Sequence, residues 1–197
     1  MSIIQKIVRT AAALGTVIVL AGCAHPIAIN SDAGPERVDS KLIQKKVAYA
    51  LSDTERAKQV ITAGGGGDKI SYYPYRDLEK SIRDALRSVY QDVVVVKTAA
   101  DVNAVKASGA TLVFTPEIKT SSSSPSAFTW PPTEFTTDIS CTVTDAGGVE
   151  VTRVKATGNG KAEFDEFKSD FALSAKRSSA DMSVKLSEEI RNNVRLR

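Results

Sequence analysis

The sequence predicts an α+β fold, a two-layer sandwich of a mainly antiparallel sheet with two amphipathic helices on one face. Three observations lead there. Residues 75–92 and 171–193 each repeat apolar side chains at three- and four-residue steps, the period of a helix with one buried stripe. Other segments alternate apolar and polar residues, or string β-branched residues together, as strands do. Helices set among strands are an α/β or α+β signal, and the order of elements assembles as the second.

The chain begins with an export signal rather than with structure. Lys6 and Arg9 form a positive start, and Ala11 to Leu20 is an apolar stretch too short to span a bilayer alone. Leu20, Ala21, Gly22 and Cys23 follow as L-A-G-C, which resembles the lipobox of bacterial lipoproteins. Small residues there admit a signal peptidase, and the Cys23 thiolate takes a diacylglycerol. The resemblance implies a signal peptide over residues 1–22, a lipidated Cys23 as first mature residue and a palmitate-bearing membrane anchor. Two acylation signals suffice for stable anchoring. In Gram-negative lipoproteins an aspartate after the cysteine commonly retains the protein at the inner membrane. Ala24 stands there instead, so the expected location is the outer membrane, with the domain facing the periplasm.

Composition excludes whole classes of function. The chain has 26 basic and 23 acidic side chains, and losing Lys6 and Arg9 with the signal leaves the basic ones a single charge in excess. Such a balance offers no field for nucleic acid. With Cys23 acylated, Cys141 is the only other cysteine of the two, so no internal disulfide forms. The single histidine, His25, sits two residues past Cys23 in what should be tether, which leaves no histidine for a Ser-His-Asp or Cys-His pair, no Cys/His zinc cluster and no expected cofactor or metal.

Residues 24–40 mix Pro26, Gly34 and Pro35 with small polar residues and read, with Cys23, as a flexible tether (23–40). A single domain should occupy 41–197, long enough for its own core. In "KKVAYALSD", Val47, Tyr49 and Leu51 alternate against Lys46, Ala48 and Ala50, a half-buried strand that "AKQVITA" would join as a hairpin. A helix from Ser40 to Leu51 is the alternative. Gly64 to Gly67 then invite a phosphate-loop reading. A Walker loop needs its lysine and a Ser or Thr directly after the last glycine, whereas Asp68 intervenes. The glycines read as a flexible loop between that hairpin and the next helix, with Tyr72, Tyr73 and Tyr75 leading into it.

That helix carries Leu78, Ile82, Ala85, Leu86 and Val89 on one stripe. "DVVVVK" suits an interior strand, and "TAADVNAVKASG" a short helix closed by Gly109. Leu112, Phe114, Pro116 and Ile118 alternate in the next strand, where Pro116 argues for an edge or a bulge. Phe135, Thr137, Ile139, Cys141 and Val143 then share an inward face, making Cys141 a core residue. "DAGG" turns the chain into a last strand with a bulge near Arg153. The closing helix, Phe171 to Asn193, has the stripe Ala175, Met182, Leu186, Ile190 and Val194. With its lipobox, tether, "GDKISYYPYRDLEKSIRDAL" stretch and terminal amphipathic helix, the chain resembles small envelope lipoproteins of the YajG type. No family motif assigns a catalytic residue to carry over.

The serine- and proline-rich stretch "KTSSSSPSAFTWPPTEF" holds the only tryptophan, and long ordered loops are where function concentrates. Phe128, Trp130 and Phe135 are the candidate partner-binding residues there; the alternative is that Trp130 folds back to cap the sheet edge as a packing residue. The expected function is a membrane-anchored, non-catalytic lipoprotein that binds or scaffolds another cell-envelope component, its partners being membrane lipid at Cys23 and an envelope protein. The alternative is a carboxylate-based enzyme acting on cell-wall glycan. Its only candidates, Asp165 with Glu166 and Glu188 with Glu189, are sequence neighbours that do not face one another across a cleft.

Overall fold

The computed structural model describes residues 24–197; Leu20, Ala21, Gly22 and Cys23 lie outside the described residues. In chain order the elements are β1 (His25–Pro26), β2 (Ile43–Ala50), α1 (Asp53–Arg56), β3 (Val60–Ala63), β4 (Lys69–Tyr72), α2 (Pro74–Asp77), α3 (Glu79–Val89) and β5 (Tyr90–Val96). They continue as α4 (Val102–Ser108), β6 (Leu112–Ser123), β7 (Glu134–Asp145), β8 (Glu150–Lys161), α5 (Phe164–Phe167) and α6 (Leu173–Asn192). The fold is α+β. A five-stranded sheet runs β5-β2-β6-β7-β8, and a smaller one β1-β4-β3. The twelve-residue strands β6, β7 and β8 form an antiparallel meander, while β2 lies parallel to both β5 and β6.

Helices α3 and α6 cover one face of the large sheet because each has a continuous apolar stripe. Leu78, Ile82, Ala85, Leu86 and Val89 meet Ala175, Met182, Leu186 and Ile190 over Val47, Tyr49, Phe114, Ile139, Cys141 and Val143. Val194, expected on the same stripe, is 76% exposed, because the helix has already ended at Asn192. Five buried serines also line α6: Ser174, Ser178, Ser179, Ser183 and Ser187. Small side chains let this helix lie close to β8, where a Cβ at Gly158 would meet the Ser178 carbonyl at 2.1 Å and one at Gly160 the Ser174 carbonyl at 1.9 Å. Glycine is required at both positions by this approach.

The opposite face is covered only at its parallel half. Val105 of α4 sits with Ala48, Ala50, Val96, Ala110 and Val113 in a second apolar cluster. Asp101 caps α4 by accepting from the Ala104 amide at 3.0 Å, and Gly109 ends it at φ 74°. β2 is therefore buried on both faces, although its alternation had suggested one. β5 is a second correction. It lies at the edge of the sheet and not inside it, and its valines reflect helices above and below rather than strands on both sides.

The first hairpin also differs from expectation. β2 does not pair with β3; β3 pairs with β4 through Val60↔Tyr72 to Ala63↔Lys69, so the four glycines close that hairpin. Pro116 lies inside β6, but β2 pairs with β6 only as far as Phe114. The Ile118 amide, two residues on and facing the same way, donates to the Tyr75 hydroxyl at 3.2 Å. The missing Pro116 N–H thus falls where no ladder bond is called for. The β7–β8 register shifts at Val143/Thr144, placing the bulge beside Val151, two residues from Arg153.

Residues 24–40, expected as part of a free tether, lie against the domain. His25 and Pro26 pair with Ile70 and Ser71 of β4, and Ile29 is fully buried. Gly34 passes Ser183 of α6, and Arg37 donates to the carbonyls of Arg87, Tyr90 and Gln91. The segment is a strap over the helix layer. The segment shows no period because its contacts fall on β4, α6, α3 and β5 in turn instead of following one face.

Candidate functional site

The candidate loop, residues 124–133, leaves the end of β6 and returns into β7. Short local hydrogen bonds shape it. Ser126 Oγ accepts from the Phe128 and Thr129 amides, both at 3.2 Å, and from Thr129 Oγ1 at 2.7 Å. Ser124 Oγ accepts from the Ser126 amide at 3.2 Å, and Ser174 Oγ donates to the Pro132 carbonyl at 2.7 Å. The run of serines thus replaces regular backbone pairing with side-chain turns.

The glycine loop of the β3–β4 hairpin holds the other side. The Gly65 amide donates to the Trp130 carbonyl and the Gly66 amide to the Ser126 carbonyl, both at 2.8 Å. A Cβ at Gly65 would stand 2.0 Å from the Thr129 carbonyl, and one at Gly64 would stand 2.3 Å from that of Trp130. Gly66 and Gly67 adopt φ of 63° and 85°. The glycines are therefore a close-approach surface for the tryptophan loop, which corrects the reading of a loop leading freely into a helix. Further along the seam, Tyr72 Oη bonds Thr120 Oγ1 at 2.7 Å and Ser122 Oγ donates to Thr62 Oγ1 at 2.7 Å.

The three candidate aromatic residues are not brought together. Phe135 is buried and meets Tyr72 edge-on with centroids 5.4 Å apart, so it belongs to the core. Phe128 is 97% exposed at the loop tip. Trp130 is half-buried, stacked on His25 at 4.3 Å with planes 17° apart, and tilted against Phe171 at 4.9 Å. Nearby, Phe164 is half exposed; it sits edge-on to Phe167 at 5.3 Å and under Lys168 Nζ at 4.7 Å. A cleft of about 270 Å³ separates α5 from the loop. His25 Nε2 also lies 3.6 Å from Asp68 Oδ2.

His25, Phe164 and Phe171 were missed from sequence. His25 had been placed in a tether, and neither phenylalanine forms a motif with Trp130, which is far away in the chain. One signal was legible: the only histidine and the only tryptophan flank segments that lack regular periodicity.

The carboxylate pairs lie apart from any such cleft geometry. Glu166 forms a two-pronged pair with Arg177 at 2.7 and 2.9 Å. That pairing, with the Glu163 amide as a further donor, holds its carboxyl down at about 2, whereas a general acid at neutral pH needs a raised value. Asp165 pairs with Lys168, and Glu188 and Glu189 project from the exposed side of α6. Among the described residues no group of three His, Cys, Asp or Glu side chains has metal-binding geometry, and no helix is long and apolar enough to cross a membrane.

No protein-family model matches the chain, and no curated protein matches it. Among solved structures, the chain is similar to a Xanthomonas campestris protein carrying the family model DUF330, at 10% identity and a TM-score of 0.47, over 82% of this chain and 91% of that one. It is also similar to a dodecameric PelC variant from Paraburkholderia phytofirmans, at 16% identity and a TM-score of 0.35, over 76% of this chain and 94% of that one.

Proposed function

We propose that this chain is an outer-membrane lipoprotein, anchored through acylated Cys23, whose periplasmic domain is non-catalytic and holds another envelope component close to the membrane. The observation that carries the reading is the ordered sequence of Lys6 and Arg9, the apolar stretch to Leu20, and Leu20-Ala21-Gly22-Cys23 followed by Ala24. The low carboxyl pKa at Glu166 supports the non-catalytic part.

Replacing Cys23 by Ser tests the anchor. The variant should incorporate no labelled palmitate and should accumulate as unprocessed precursor at the inner membrane. Normal labelling would sink the lipoprotein reading. Cross-linking of the acylated protein in intact envelopes tests the second half: one stoichiometric partner is expected, and glycan cleavage by the purified protein in its place would overturn the non-catalytic assignment.

A further inference from the structure

We infer that the aromatic end of the domain, Phe128 and Phe164 with Trp130 and Phe171 behind them, sits in the lipid–water interface beside the anchor, so that the domain docks on the bilayer in one orientation. The inference rests on the lipoprotein reading above and specifies what its aromatic loop touches. Its first support is chain length. His25 is already paired to β4 and stacked on Trp130, so only Ala24 separates Cys23 from the folded domain. Two peptide steps reach about 7 Å at most. An acylated Cys23 therefore holds this end of the molecule at the membrane surface, and no tether remains to lift it away.

The second support is the chemistry presented at that end. Phe128 projects from the loop tip almost wholly exposed, and Phe164 and Phe171 are each about half exposed. Lys168 lies over the Phe164 ring. Exposed phenylalanine around a half-buried tryptophan, with a lysine at the rim, is the composition that partitions into the headgroup region. The loop then meets lipid, and a protein partner of the proposed scaffold would bind elsewhere on the domain.

The third support is placement. β7 begins beside this loop and ends at the Asp145–Gly148 turn twelve residues on, which puts Val149 roughly 35 Å away at about 3.4 Å per residue. That end should stand in the periplasm, and it supplies the control.

The test uses the full acylated chain reconstituted into phosphatidylethanolamine–phosphatidylglycerol vesicles whose acyl chains carry bromine near the headgroup. In a Trp130→Phe background, a single tryptophan is placed at Phe128→Trp or at Val149→Trp, and acylation is confirmed by mass. The tryptophan at position 128 should shift to shorter wavelength and be quenched about twofold or more, as an interfacial residue is, while that at 149 should be unaffected. Equal quenching at both sites, or none at 128 in acylated and folded protein, overturns the docking proposal and leaves the anchor standing. A mature chain without acyl groups overturns both.

Discussion

Cys141 lies in β7 between β6 and β8 with its side chain in the core, and burial pushes its thiol up to about 12. A thiol so placed is nearly all protonated at pH 8 and out of reach of reagents. Alkylation of the folded protein at that pH should therefore be slow, and unfolding by denaturant should make it rapid. Fast labelling in the native state would show that β7 opens locally. Cys141→Asp should destabilise the domain by about 4 kcal/mol, since the charge would enter the core unpaired; an unchanged melting temperature would refute the inward placement. Phe128 and Trp130 divide in the same way. Trp130→Ala removes contacts with His25 and Phe171 and should lower stability by about 2 kcal/mol, less than the truncation of a fully buried aromatic residue. Phe128→Ala should leave the melting temperature unchanged, because the ring touches little but solvent.

At the scale of elements, the contact between α6 and β8 organises the antiparallel half of the sheet. Its closeness depends on Gly158 and Gly160, so Gly158→Ala should push the helix away and lower stability by about 3 kcal/mol, measured by urea unfolding. A neutral effect would mean that the helix stands farther off. The same helix protects the outer edge of β8. Asp181 accepts from the Asn159 amide at 2.8 Å, Lys185 donates to the Thr157 carbonyl at 3.1 Å, and Arg177 donates to that of Lys161 at 2.7 Å. A free edge of this length would pair with another chain. Burial raises the pKa of Asp181, but the hydrogen bonds from Lys185 and the Asn159 amide outweigh it and the net shift is downward from 3.8. A carboxylate whose native pKa is depressed stabilises the fold fully above its ordinary value, and that contribution disappears as pH falls through the native one. Acid should therefore weaken the wild type below about pH 4, and Asp181→Asn should flatten that part of the stability curve. An unaltered acid limb would show that Asp181 is not held by these partners.

At the scale of the whole molecule, the strap joins the N-terminal segment to both layers. Ile29 is fully buried, and its neighbours connect β4, α3 and α6. Ile29→Ala should lower stability by about 3 kcal/mol, as truncation of a buried aliphatic residue does. A free tether would make the same change neutral, and calorimetry distinguishes the two. The strap also ties the smaller sheet to the larger one. β1 brings His25 onto Trp130, and the glycine loop fastens the tryptophan loop from the other side. The aromatic end is thus assembled from four separate parts of the chain: residues 25–26, the β3–β4 turn, the β6–β7 loop and the segment before α6.

Features governed by neighbours along the chain were legible in the sequence. The stripes of α3 and α6, the Gly109 stop of α4, the Asp145–Gly148 turn, the inward face of β7 and the bulge near Arg153 each follow from spacings of a few residues. Backbone periodicity and turn chemistry act over that range. The Leu20-Ala21-Gly22-Cys23 pattern is likewise local, and it lies outside the described residues. Partner choice was decided only by tertiary structure. Val60 could extend a hairpin from β2 or pair with Tyr72, the valines of β5 suit an interior strand or an edge covered by helices, and Gly64–Gly67 suit a loose loop or a cradle for Trp130. Each choice depends on which distant surface supplies the missing contact, and burial depends on the three-dimensional neighbour rather than on the residue's place in the chain.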